Sequence, residues 1–221
     1  MSRFSKMQVL NTICDVGIVP IFYHNDIETV KNVVKSCYKG GVRIFEFTNR
    51  GEFAHETFGE LNKFIAKECP DLILGAGSII DASTASLYIQ LGANFIVSPM
   101  FDSNTVQIVN KRLIPYIPGC GSILEVGVAQ KSGCDLCKIF PGDVLGPNFI
   151  KNIKAPMPWS MLMVTGGVKA EEKNLKSWFD AGATCVGLGS DFFKKETIEN
   201  KEWDRIKKMC NDTLMTISRI R

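Results

Sequence analysis

The sequence is poor in the residues and patterns that mark metal, membrane or nucleic-acid proteins. Histidine occurs only as His24 and His55. The one close cysteine pair, Cys134-x-x-Cys137, has no second pair to complete a four-ligand set. On a strand, an offset of three also turns the two thiols to opposite faces. No metal site is expected. The eight cysteines fall mostly in strand- or helix-patterned stretches, which suits free, buried thiols better than a disulfide framework. No apolar run is long enough to span a membrane. The start, Met1-Ser2-Arg3-Phe4-Ser5-Lys6, lacks the basic, apolar and small-residue succession of a secretory leader, so a cytoplasmic protein is expected. The formal charge is only +3, and Lys and Arg are spread along the chain. A dedicated nucleic-acid surface is therefore not expected, although a local anion site stays open.

What is present is a regular alternation. At 221 residues and 45% hydrophobic, the chain can bury a substantial core and has the length of one α/β barrel. Strand patterns fall at Val19–Tyr23, Arg43–Thr48, Leu72–Gly77, Asn94–Val97, Ile114–Ile117, the stretch around Lys138, Ser160–Val164 and Thr184–Leu188. Helix patterns follow from Asp26 to about Tyr38, Glu52 to Lys67, Asp81 to Leu91, Asp102 to Arg112, Ser122 to Lys131, near Asn148, and Glu171 to Ala181. A last helix carries Trp203, Ile206, Cys210, Leu214 and Ile217 on one face. Eight strand–helix units predict parallel strands joined by right-handed crossovers. Closed, they form a (β/α)8 TIM barrel, one α/β domain over residues 1–221 with its chemistry at the carboxyl ends of the strands. An open doubly wound sheet is the alternative. It would carry a Gly-x-Gly-x-x-Gly turn after the first strand, and Tyr23-His24-Asn25-Asp26 is nothing like one.

Candidate chemistry begins at Cys134-Asp135-Leu136-Cys137-Lys138-Ile139-Phe140-Pro141-Gly142-Asp143. Alternation puts Leu136, Lys138 and Phe140 on one face of this short strand. A lysine in an apolar strand tends to lose its proton, and a neutral amine attacks ketones to form a Schiff base. Alternatively its stem packs while the ammonium reaches water. In Ile44-Phe45-Glu46-Phe47-Thr48-Asn49-Arg50, the same alternation places Glu46, Thr48 and Arg50 on one face. A carboxyl group can relay protons and an arginine can grip a carboxylate through two hydrogen bonds. A structural Glu46–Arg50 ion pair is the other reading. Gly75-Ala76-Gly77-Ser78 leaves room for close approach at the third strand's end, and Ser78 can donate a hydrogen bond. Ser98-Pro99 closes the fourth strand. Pro118-Gly119-Cys120-Gly121-Ser122 reads as a turn leading into a helix. Val164-Thr165-Gly166-Gly167 and Gly187-Leu188-Gly189-Ser190 end the last two strands as glycine turns before helices, the usual place for phosphate in such barrels.

Taken together, these residues resemble the 2-keto-3-deoxy-6-phosphogluconate / 2-keto-4-hydroxyglutarate aldolases. Glu46-x-Thr48-x-Arg50, Gly75-Ala76-Gly77-Ser78, Ser98-Pro99, Pro118-Gly119, Lys138-Ile139-Phe140-Pro141, Thr165-Gly166-Gly167 and Gly187-x-Gly189-Ser190 carry the resemblance in the family's order, from about Val19 to Ser190. It implies a class I aldolase that needs no metal or other cofactor, with pyruvate as one product and a small keto acid as its partner. A homotrimer is the usual assembly. Lys138 is then the Schiff-base lysine and Glu46 the general acid/base. Arg50, Thr48, Ser78, Pro99, Phe140 and Thr165 belong to the substrate pocket, and Gly166, Gly167, Gly189 and Ser190 to the phosphate site. The sequence departs from the family's pattern at Ser78, where threonine is common, at Cys120-Gly121-Ser122 and Pro141-Gly142-Asp143, and at Asp191-Phe192. Two other expectations fit the same residues: a sugar-phosphate isomerase in which Lys138 only polarises, and a silent barrel that binds a phosphorylated metabolite.

Overall fold

The computed structural model describes residues 2–221. The chain runs α1 (Lys6–Val16), β1 (Ile18–Phe22), α2 (Ile27–Lys39), β2 (Ile44–Thr48), α3 (Ala54–Glu68), β3 (Ile73–Gly77), α4 (Ala82–Gln90) and β4 (Ile96–Val97). It continues α5 (Ser103–Lys111), β5 (Tyr116–Ile117), β6 (Gly119–Cys120), α6 (Ile123–Lys131), β7 (Leu136–Ile139), α7 (Gly142–Lys154) and β8 (Met161–Val164). The last elements are α8 (Glu172–Asp180), β9 (Cys185–Leu188), α9 (Lys195–Glu199) and α10 (Trp203–Ile220). Polar side-chain caps start five of the helices, α1 among them. The side chains of Asp26, Asp81, Asp102 and Ser122 accept hydrogen bonds from the N–H groups of Thr29, Thr84, Thr105 and Glu125, satisfying donors that a helix start leaves unpaired.

The strands are hydrogen-bonded in the order β5-β4-β3-β2-β1-β9-β8-β7-β6, all parallel. β5 and β6 are separated by Pro118 alone, so they share one wall position and the ring closes through them into a TIM barrel. The expected turn at Pro118-Gly119-Cys120 is corrected here: Gly119 and Cys120 pair with Lys138 and Ile139 of β7. Proline lacks the N–H that a ladder needs, which interrupts the strand, but its carbonyl still accepts from the Lys138 N–H at 2.8 Å.

Side-chain alternation divides the core in two. Phe45, Phe47, Cys137 and Ile139 face outward into the layer beneath the helices. Ile44, Ile73, Phe95, Leu136, Met163 and Cys185 face the lumen and meet Val9, Leu10 and Ile13 of α1. That helix, not anticipated from the apolar pattern, floors the barrel at the amino ends of the strands. Its start carries a capping box: Ser5 accepts from the Gln8 N–H and the Gln8 side chain accepts from the Ser5 N–H. The short helix expected near Asn148 is instead the second half of α7, which begins at once after Pro141 and breaks at Gly146 (φ 71°, ψ 168°). The residue before a proline avoids helical geometry, and here that proline is Pro147. The eight cysteines are unpaired thiols, and all but Cys14 are buried.

Candidate active site

β2 and β7 stand four wall positions apart in a ring of eight, so their inward side chains face each other across the lumen. Glu46 rises from β2, in register with Ile21 of β1 and Gly75 of β3. Lys138 rises from β7, between Gly119 and Met163. Both are buried, at 1% and 8% exposure. The alternative of a lysine reaching out to water is thereby set aside. No ion pair within 4.0 Å joins Glu46 to Lys138 or to Arg50 among the described residues. The structural Glu46–Arg50 pair is therefore not formed. Carboxylate and amine likewise stand more than 4.0 Å apart.

Glycine seats the carboxylate. A Cβ on Gly77 would stand 1.8 Å from Glu46 Oε1, and one on Gly75 would strike the Phe95 ring at 2.3 Å. The glycines of β3 thus admit the protein's own side chains. Gly77→Ala should drive Glu46 off its seat, lowering turnover about 10²-fold and costing ~1–3 kcal/mol of stability from overpacking. A pyruvate-release assay with a thermal melt checks both; wild-type turnover in the variant would contradict the assignment.

Burial dominates the electrostatics. It pushes the Lys138 amine below its ordinary pKa, opposed by the Glu46 carboxylate and reinforced by the Arg50 guanidinium. It pushes the Glu46 carboxyl above its ordinary value, opposed by Lys138 and Arg50. Glu46 Oε2 and Thr165 Oγ1 are buried without a hydrogen-bond partner, which is costly unless a ligand supplies one. Lys138 Nζ lies 4.7 Å from the Phe140 ring centroid. Ser78 is held at φ 59°, a left-handed conformation rare outside glycine, at the rim beside Gly77.

These groups border one cavity of about 410 Å³ at the carboxyl ends of the strands. Its lining includes Glu46, Thr48, Arg50, Ser78, Lys138, Phe140, Thr165, Gly166, Gly167, Gly189 and Ser190. Pro99 is the one expected pocket residue outside that lining. Its carbonyl oxygen turns instead toward β6, 2.0 Å from where a Cβ on Gly119 would stand. The glycine turns also differ from expectation in one respect. α8 begins at Glu172 and α9 at Lys195, so neither helix N-terminus adjoins its turn. What faces the cavity is backbone. Gly166 (φ 91°) and Gly167 (φ 69°) are left-handed, and among the described residues the N–H groups of Gly166, Gly167 and Ser190 meet no protein acceptor. Sequence reasoning missed Ile21, Phe22, Tyr23, Val168, Asp191 and Phe193 in the lining. Alternation from Phe22 could have signalled Ile21 and Tyr23.

The family model for KDPG and KHG aldolase matches residues 9–209. The chain belongs to that family. As an aldolase it is an enzyme of carbon–carbon bond cleavage, a lyase. The 2-dehydro-3-deoxy-phosphogluconate aldolase of Pseudoalteromonas atlantica is 31% identical over 97% of each chain. The KHG/KDPG aldolase of Escherichia coli K12 is 27% identical over 89% of this chain and 90% of its own length. Among solved structures, the KDPG aldolase of Legionella pneumophila, with pyruvate captured as a covalent carbinolamine, superposes with a TM-score of 0.82. It is 25% identical and covers 90% of this aldolase chain and 95% of its own. No cluster of three or more His, Cys, Asp or Glu side chains able to hold a metal ion occurs among the described residues.

Proposed function

We infer that the chain is a class I aldolase that cleaves a 2-keto-3-deoxy-6-phosphogluconate-type substrate to pyruvate and glyceraldehyde 3-phosphate, or 2-keto-4-hydroxyglutarate to pyruvate and glyoxylate. The observation that carries this reading is the buried Lys138 amine, its pKa lowered, facing buried Glu46 across one cavity. Neutral Lys138 adds to the keto carbon, and Glu46 moves protons while the carbinolamine loses water. The iminium then accepts the electron pair of the breaking C3–C4 bond as the 4-hydroxyl group loses its proton. The aldehyde leaves, the enamine takes a proton at C3, and water releases pyruvate and the free lysine. No metal or other cofactor enters the scheme.

Arg50, which makes no ion pair among the described residues, takes the keto-acid carboxylate with Ser78. Thr48, Phe140 and Thr165 border the reacting carbons. The Gly166-Gly167 turn, Gly189 and Ser190 take the far end, including a phosphate where present. Residues 1–221 act as one barrel domain. Ile80, Met100, Ile123, Leu124 and Val144 are exposed apolar side chains just beyond the carboxyl ends of β3, β4, β6 and β7. They supply a face for a homotrimer.

Pyruvate release across keto-deoxy acids tests the reading, together with borohydride reduction in the presence of pyruvate. Trapping should add a reduced pyruvyl group to Lys138, and its absence would exclude a Schiff base. Ser190→Ala should weaken phosphorylated substrates about tenfold, the scale of one charge-assisted hydrogen bond, and hydroxyglutarate less. Equal losses on both would remove Ser190 from the phosphate site.

A further inference from the structure

The mouth of the cavity carries one charge that the cleavage chemistry does not use. Asp191 follows Ser190 and lines the same cavity. The turn after β9 sets its position: the N–H groups of Phe192 and Phe193 both donate to the Gly189 carbonyl at 3.0 Å, and both rings are buried. Asp191 is left exposed at the rim. Among the described residues, no Lys or Arg nitrogen lies within 4.0 Å of its carboxylate. Lys169 and Lys194 border an adjoining groove with it but do not line the cavity. The charged lining is therefore Glu46, Arg50, Lys138 and Asp191. With Arg50 and Lys138 engaged at the keto-acid end, the far end holds backbone N–H groups, the Ser190 hydroxyl and a carboxylate, and among the described residues no cation lines it.

We propose that Asp191 is a specificity-determining residue that lowers the enzyme's preference for a phosphorylated substrate end, so that the same site also turns over 4-hydroxy-2-keto acids ending in neutral hydroxyl groups. This rests on the aldolase reading above. A phosphate dianion beside an unpaired carboxylate is repelled, whereas a hydroxyl can donate a hydrogen bond to it. Because Asp191 is exposed, solvent moderates the repulsion to about tenfold in kcat/KM, and added salt reduces it further.

The test measures kcat/KM for pyruvate release from a 2-keto-3-deoxy hexonate with and without its 6-phosphate. Wild type, Asp191→Asn and Asp191→Ala are compared at low and high salt, with EDTA present so that no divalent cation bridges carboxylate and phosphate. The ratio of phosphorylated to unphosphorylated substrate should rise about tenfold in both variants at low salt and by less at high salt. An unchanged or lower ratio overturns the proposal, as does a gain indifferent to salt, or a wild type without detectable activity on the unphosphorylated substrate. Borohydride trapping of pyruvate on the same wild-type sample separates the two levels. Failure to trap removes the aldolase reading, whereas trapping with an unmoved ratio removes only the role of Asp191.

Discussion

Lys138→Met should reduce pyruvate release by roughly 10⁴-fold or more, the scale reached when a covalent nucleophile is removed, and should abolish borohydride trapping. Methionine keeps an unbranched chain of similar length in a lumen already lined by Met163, Leu136 and Ile44, so the loss would not come from a cavity. The size of the effect follows from the chemistry. Without an amine there is no iminium, and nothing in the cavity replaces that electron sink for the C3–C4 bond. An ordinary lysine at neutral pH has roughly one amine in a few thousand deprotonated, and burial enlarges that share. Mass spectrometry after reduction, with a thermal melt as the folding control, decides the matter. Retained trapping in Lys138→Met would place the nucleophile elsewhere.

The second large effect belongs to Glu46. Glu46→Gln keeps the shape against Gly77 but removes the proton carrier, and turnover should fall about 10²–10⁴-fold. The same variant has a signed pH consequence. The Glu46 carboxylate raises the Lys138 pKa and Arg50 lowers it, both against the larger lowering by burial. Removing the carboxylate should therefore move the acid limb of pyruvate trapping to lower pH. Arg50→Leu should move it to higher pH while also weakening substrate binding. In the wild type that limb should lie below the range of an exposed lysine. A pH series of trapping rates on the three proteins reads these directions, and a limb moving the same way in both variants would contradict the electrostatic assignment.

The pairing of Lys138 with Glu46 was legible because side chains on a strand alternate with a period of two. One reading of each stretch put lysine, carboxylate, threonine and arginine on inward faces. Closure of eight strand–helix units then brought them to one end. The helix starts at Asp26, Asp81, Asp102 and Ser122 were equally legible, since a capping side chain acts within three residues of its partner. Pro99 closes β4 without bordering the cavity, and sequence position at a strand end does not say which way the backbone turns. The pattern at Gly75 and Gly77 implies open wall, whereas Phe95 and Glu46 fill the space. That filling depends on neighbouring strands rather than on the glycines themselves.

The order of residues alone determined the alternation of elements, the inward set on each strand and the chemistry that set can perform. Those properties arise from local geometry and side-chain type. Only the tertiary structure decided that α1 floors the barrel, that β5 and β6 close it around Pro118, that Glu46 and Lys138 face each other across the lumen without an ion pair, and that Asp191 borders the far end of the cavity. Each of these depends on contacts between segments far apart in the chain. Burial of Lys138 is of the same kind: the amine is kept from water by walls that other strands supply.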